Sequence, residues 1–117
     1  MKAILFKKGG RENASYTDVP DPVLKNTDVL IRVYASDICK PADAAHYGGY
    51  SVFGSYPLIP GHEYAGIVEA IGKDVRRFQV GDRVTADANK PCGKCYYCER
   101  GEVRFCDNNE AYGQTLN

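Results

Sequence analysis

The sequence predicts a mainly β fold with short helices and a cysteine-rich lobe. Three observations carry that reading. The apolar runs are short, and the clearest, Asp28-Val29-Leu30-Ile31-Arg32-Val33-Tyr34-Ala35, is rich in β-branched and aromatic residues. Twelve Gly and six Pro interrupt the chain often enough to demand many turns. Strand and helix patterns never alternate as βαβ units, and no Gly-x-Gly-x-x-Gly occurs.

The elements follow in order. Residues 2–6 alternate loosely and read as an edge strand. Gly9-Gly10-Arg11-Glu12-Asn13 makes a turn, and residues 14–19 form a return strand that ends at Pro20-Asp21-Pro22. Asn26-Thr27-Asp28 supplies turn chemistry ahead of the strand at 28–35. A short helix is expected over 41–47, opened by Pro41, filled by Ala42, Ala44 and Ala45, and stopped by Gly48-Gly49. His46 stands near its end as a capping candidate. Residues 50–61, with Pro57 and Pro60, read as irregular. A long strand runs from His62 to Gly72 with a bulge expected at Gly66, and Gly81-Asp82 leads into a strand at 83–86. The glycine spacing from Gly49 to Gly54 resembles a phosphate-binding loop, but Ser55-Tyr56 follow where Lys-Ser/Thr is required.

At 117 residues the chain is one domain, long enough to bury a core. Fifteen basic residues balance fifteen acidic ones, so the chain has no electrostatic footprint for nucleic acid or an anionic membrane surface. No apolar run approaches the ~20 residues that span a bilayer. The apolar stretch Ala3-Ile4-Leu5-Phe6 is too short for a secretory signal. A cytoplasmic protein with reduced thiols is therefore expected, and the sequon Asn13-Ala14-Ser15 carries no meaning in that compartment.

Five cysteines then need an explanation. Four fall in Cys92-x2-Cys95-x2-Cys98-x7-Cys106. In a reducing compartment such a cluster reads as metal rather than disulfides. Four thiolates close a tetrahedral shell around Zn2+ and leave no open position, so a structural zinc lobe is expected over 89–110. Gly93 and Gly101 permit the tight turns this requires. An iron–sulfur cluster is the rival, since C-x2-C-x2-C opens the ferredoxin run. That run continues C-x3-C-P, whereas here the fourth cysteine comes eight residues on and precedes Asp107. The fifth cysteine, Cys39, precedes the short helix, where amide dipoles favour thiolate; it reads equally as a small buried side chain. By spacing alone His62 is a lone polar residue and Glu63 a surface carboxylate.

A wider pattern joins these residues. Ser36-Asp37-Ile38-Cys39, Pro57-Leu58-Ile59-Pro60-Gly61-His62-Glu63-Tyr64-Ala65-Gly66-Ile67-Val68, Gly72, Val80-Gly81-Asp82-Arg83-Val84 and the four-cysteine lobe together resemble the N-terminal catalytic domain of the zinc-containing medium-chain alcohol dehydrogenases. Asp87-Ala88-Asn89 is closer to their polyol dehydrogenase branch. The resemblance implies a GroES-like, partly open barrel over 1–117. It implies Cys39 and His62 as ligands of a catalytic zinc, with Glu63 beside the metal as an exchangeable ligand, and Cys92, Cys95, Cys98 and Cys106 as ligands of a structural zinc. Lys40 would reach a phosphate of NAD or NADP. A small alcohol or polyol would be the substrate, and a homo-oligomer is expected. The alternative is a stand-alone GroES-like zinc-binding or assembly module without enzyme activity.

Two departures from the family pattern matter. Pro41 stands where the family places a proton-relay hydroxyl, and His46 lies at +7 from Cys39 rather than +5. No relay residue is carried over. The family's third zinc ligand and its nucleotide-binding domain would also lie beyond residue 117, so the chain is expected to be the N-terminal part of a longer dehydrogenase. Its cofactor-facing wall, with Tyr47, Tyr50, Phe53 and Tyr56 as candidates, would then be exposed.

Overall fold

The computed structural model describes residues 1–49 and 56–116. Strands β1 (Lys2–Phe6) and β2 (Ala14–Asp18) form an antiparallel hairpin in the register Lys2↔Asp18 to Phe6↔Ala14. A single 3-10 turn, Arg11–Asn13, connects them, and the Asn13 Nδ2 amide donates to the Gly9 carbonyl at 2.8 Å. The expected helix is present as α1 (Lys40–Tyr47), with Cys39 as its N-cap and Gly48 as its C-cap.

The main sheet has the order β3-β4-β5: β3 (Val29–Ser36), β4 (Tyr64–Ile71) and β5 (Arg83–Thr85), all antiparallel. The expected strand from His62 begins two residues later, at Tyr64, although the Glu63 carbonyl still accepts the Asp37 N–H one step past the last pair. The bulge expected at Gly66 is also corrected. The register slips instead between Val33 and Ala35, which leaves Tyr34 as the extra residue on β3, and again between Leu30 and Ile31, opposite Glu69. Gly66 is needed for a different reason. A Cβ there would overlap the Arg32 carbonyl oxygen and press on the Ile31 side chain, so the two strands approach more closely than any other residue permits.

The core is small. Phe6, Leu58, Val68, Ala88 and Ala111 are its buried apolar residues, with Leu58 and Val68 each 1% exposed. Phe6 and Leu58 exchange backbone hydrogen bonds of 2.8 and 2.9 Å, which fastens the segment after residue 56 to the hairpin. His46, 2% exposed, is the one buried polar side chain among the described residues. It does not cap α1: its imidazole turns inward, with Nδ1 3.1 Å from the Tyr56 hydroxyl.

Beyond β5 the chain forms the cysteine lobe. Two-residue strands β6 (Asn89–Lys90) and β7 (Glu110–Ala111) pair at its base, and the Tyr112 N–H donates to the Ala88 carbonyl at 3.1 Å. Inside it lie helix α2 (Tyr96–Glu99) and a 3-10 turn, Val103–Phe105. The sheets remain three separate ones, and among the described residues no closed barrel forms. No helix is long and apolar enough to cross a membrane. Of the aromatics expected on an exposed wall, Tyr47 is exposed and Tyr56 is half-buried against His46, while Tyr50 and Phe53 fall outside the described residues.

The close approach at Gly66 sets a test. A methyl there must push β3 off β4, and overpacking of this kind costs about 1–3 kcal/mol. Gly66→Ala should lower the Tm by at least about 4 °C in a thermal melt followed by circular dichroism. An unchanged Tm would mean that the ladder has room at this point.

Candidate metal centres

In the lobe, one sulfur from each of Cys92, Cys95, Cys98 and Cys106 lies within 4.8 Å of every other. A zinc–thiolate distance of about 2.3 Å gives a tetrahedron with edges of about 3.8 Å, so the four sulfurs need only a small contraction to close on an ion. Local backbone brings them there. Cys95 is the N-cap of α2 and Cys98 lies within that helix, while positive φ at Gly93 and Gly101 turns the chain on either side. Cys106 ends the 3-10 turn.

Backbone amides are already aimed at the sulfurs. The Cys92 N–H donates to Cys106 Sγ at 3.2 Å. The amide of Cys98, and then that of Asp107, lower the Cys95 thiol to about 6. Desolvation first, and hydrogen bonding to Cys95 second, push the Cys98 thiol up to about 12. This contrast has a simple meaning. Cys95 is thus favoured as thiolate, while Cys98, desolvated and bonded to Cys95, is held as a thiol. Only a cation at the centre lets all four ionise.

The second centre joins two distant segments. Ligand atoms of Cys39, His62 and Glu63 lie within 4.8 Å of one another. The Asp37 N–H donates to the Glu63 carbonyl at 2.9 Å, one step past the last β3–β4 pair, Ser36↔Tyr64. That bond carries the sheet register into the site and brings the segment of Cys39 alongside that of His62. Ring nitrogen, thiolate and carboxylate on one ion are a donor set suited to zinc with room for a further ligand.

Asp43 connects the two sides, and sequence reading did not single it out. Its N–H donates to the Cys39 carbonyl at 2.8 Å, and its Oδ2 accepts the Cys39 N–H at 2.8 Å. Its Oδ1 faces His62 Nδ1 at 3.8 Å, and neither of these buried atoms has a hydrogen-bond partner. A slight rotation of the ring would close that bond and leave Nε2 for the metal, the arrangement by which carboxylates orient ligating histidines. The available signal was an Asp four residues beyond a cysteine that opens a helix, within reach of its free amide.

Two cavities meet at Ser36 and Asp37. One, of about 470 Å³, is walled by Asp37, His62, Glu63, Tyr64 and Thr85. Burial, and then the neighbouring Tyr112, hold the Tyr64 phenol above its ordinary range. The other cavity, about 580 Å³ and more apolar, is walled by Ile4, Phe6, Ile38, Lys40, Asp43 and Tyr47. Lys40, the candidate cofactor contact, therefore lies at the mouth of the second cavity and outside the ligand cluster.

Known proteins are similar to this chain in sequence and fold. The family pattern of the alcohol dehydrogenase GroES-like domain matches residues 25–115. A D-altritol 5-dehydrogenase of Agrobacterium fabrum is 42% identical over 120 residues, covering 100% of this chain and 34% of that protein. The cobalt- and zinc-bound thermostable alcohol dehydrogenase of Pyrobaculum aerophilum superposes with a TM-score of 0.87 at 29% identity, over 100% of this chain and 36% of that one. An alcohol dehydrogenase of Escherichia coli CFT073 complexed with NADH gives a TM-score of 0.88 at 31% identity, over 100% of this chain and 33% of that one. The chain thus spans about a third of the length of the relatives it matches. With strand order, cysteine lobe and family pattern in agreement, the chain belongs to the alcohol dehydrogenase GroES-like domain family.

Proposed function

We propose that this chain is the catalytic domain of a zinc-dependent alcohol or polyol dehydrogenase that uses NAD or NADP. The observation that carries the reading is the convergence of Cys39, His62 and Glu63 on one point from two segments 23 residues apart in sequence, Cys39 and His62. The polyol relative and the NADH-bound and metal-bound neighbours support it. Zinc held there supplies Lewis acidity to an alcohol or carbonyl oxygen during hydride transfer to a nicotinamide. The chain's own residues prepare the place. Cys39 and Glu63 supply negative charge, the Asp43 carboxylate faces His62 and would orient it on closing the 3.8 Å gap, and Asp37, Tyr64 and Thr85 give the adjoining cavity a polar wall. Lys40, at the entrance of the neighbouring cavity, is suited to a cofactor phosphate. The nucleotide-binding part would come from the remainder of a longer polypeptide, and the 117 residues alone would be inactive. A stand-alone binding module would need the lobe but would have no use for the second ligand cluster.

The lobe is read as a structural zinc site. Purified protein should hold one tight zinc there. Cys98→Ser should lose that equivalent and unfold the lobe, and zinc binding at pH 7 should release protons, that of Cys98 among them. A chelator should strip the Cys39 site first. Iron with visible absorbance would overturn the assignment, and equal resistance of the two sites to chelation would contradict their different roles.

The activity is tested in the full-length polypeptide, which should reduce NAD or NADP in the presence of a polyol or simple alcohol. Asp43→Asn keeps an acceptor for the Cys39 amide but removes the charge facing His62. It should weaken metal binding at the Cys39 site by about 10–100-fold and leave the lobe zinc in place. Full activity with no metal at Cys39 would end this reading.

Self-association follows from two open surfaces. Among the described residues β3 pairs on one side only, Val33 and Tyr34 on it are exposed, and the apolar cavity leaves Ile38 and Tyr47 uncovered. Sedimentation of the 117-residue chain should show association that rises with concentration, and a clean monomer at high concentration would count against it.

A further inference from the structure

Helix α1 presents a puzzle that the metal site does not resolve. It is eight residues long, about 12 Å, too short to be stable without tertiary support. Its N-cap is Cys39 and its first turn carries Asp43, so its orientation fixes one ligand and the group that aims another. Yet it buries no apolar side chain. Its Ala and Tyr residues are half-buried or exposed, and its single buried residue is His46.

Among the described residues, several contacts at the far end of α1 gather on this residue. His46 Nδ1 lies 3.1 Å from the Tyr56 hydroxyl, with the two rings edge to face at 89°. The His46 carbonyl accepts the Gly10 N–H at 3.0 Å and the Gly49 N–H at 3.3 Å. The Gly9–Gly10 turn is pressed against this junction: a Cβ on Gly9 would stand 3.1 Å from the Tyr56 hydroxyl and 3.0 Å from the Gly49 carbonyl oxygen. Tyr56 in turn begins the segment that passes through Leu58, stapled to Phe6, and on to His62. The helix bearing Cys39 and the segment bearing His62 therefore meet twice, beside the ligand cluster where Asp43 faces His62 at 3.8 Å, and at the far end where His46 bonds Tyr56.

We propose that His46 is a positioning residue for the Cys39–His62–Glu63 centre: through Tyr56 it sets the orientation of α1, and with it the geometry and affinity of the metal site. It touches neither substrate nor metal. The inference rests on the reading of that centre as a metal site.

Cobalt substitution in the full-length polypeptide tests it, because the Cys39 thiolate gives cobalt a charge-transfer band. Tyr56→Phe removes one hydroxyl and nothing else. Affinity for cobalt at the Cys39 site should fall about tenfold or more, with a shifted or weakened band, while the lobe keeps its full metal equivalent. His46→Leu should act in the same direction. His46→Asn, which places a polar atom where Nδ1 stood, should recover most of the affinity. A role confined to stability would lower the Tm and leave the band and the affinity unchanged, and that outcome overturns the proposal. If His46→Leu does not fold, Tyr56→Phe and His46→Asn decide. If the wild-type polypeptide takes up no cobalt beyond the lobe, the metal-site reading itself fails and this inference falls with it.

Discussion

The second ligand cluster depends on the antiparallel pairing of β3 with β4, continued by the Asp37 N–H to Glu63 carbonyl bond. Cys39 and His62 are separated by a helix and a long connection, so nothing local brings them together. The ladder does, and it must hold its register, because a slip of one residue would turn alternate side chains to the opposite face. Gly66 supports that register by permitting close contact with the Arg32 backbone, and the Arg32–Glu69 ion pair at 2.5 Å links the two strands across the outer surface. That pair is exposed and adds little energy. The ladder itself and the buried Val68 hold the strands in place.

The sequence disclosed the parts of this protein that repeat a local pattern. The cysteine spacing identified the lobe because ligand spacing is a short-range property, and strands β1 to β5 were legible within about two residues from composition and turn signals. Asp43 and His46 were not legible in their roles. Each faces a residue distant in sequence, His62 and Tyr56, and a helix-end Asp or His looks the same in sequence whatever it faces. The two-residue strands at the base of the lobe carry no period at all. Gly66 drew notice as a bulge position, but its actual constraint is the backbone of another strand, which sequence alone does not place.

α1 and the lobe solve one problem in two ways. Neither has an apolar core of its own, so each must be organised by polar contacts. In the lobe, amides of Cys92, Cys98 and Asp107 point at sulfur, and a bound metal would complete the folding. In α1, one imidazole, one carboxylate and two glycine-permitted backbone contacts do that work before any ion arrives. Preorganisation of this second kind suits a site that must present a defined geometry while its ligand shell changes.

Charge separates the two centres further. Four thiolates around Zn2+ leave two negative charges in excess, which the amide dipoles of the lobe must offset, and such a closed, anionic shell has no vacancy and little tendency to accept an anionic oxygen. Cys39, His62 and Glu63 around the same ion sum to neutrality. Asp43 lies behind His62, where its charge strengthens the ring as a donor without entering the shell. A neutral, three-donor centre beside a polar cavity keeps its electrophilic character toward an incoming oxygen. The distribution of sulfur between the clusters, four against one, therefore fits the proposed division between a site that holds the fold and a site that acts on a substrate.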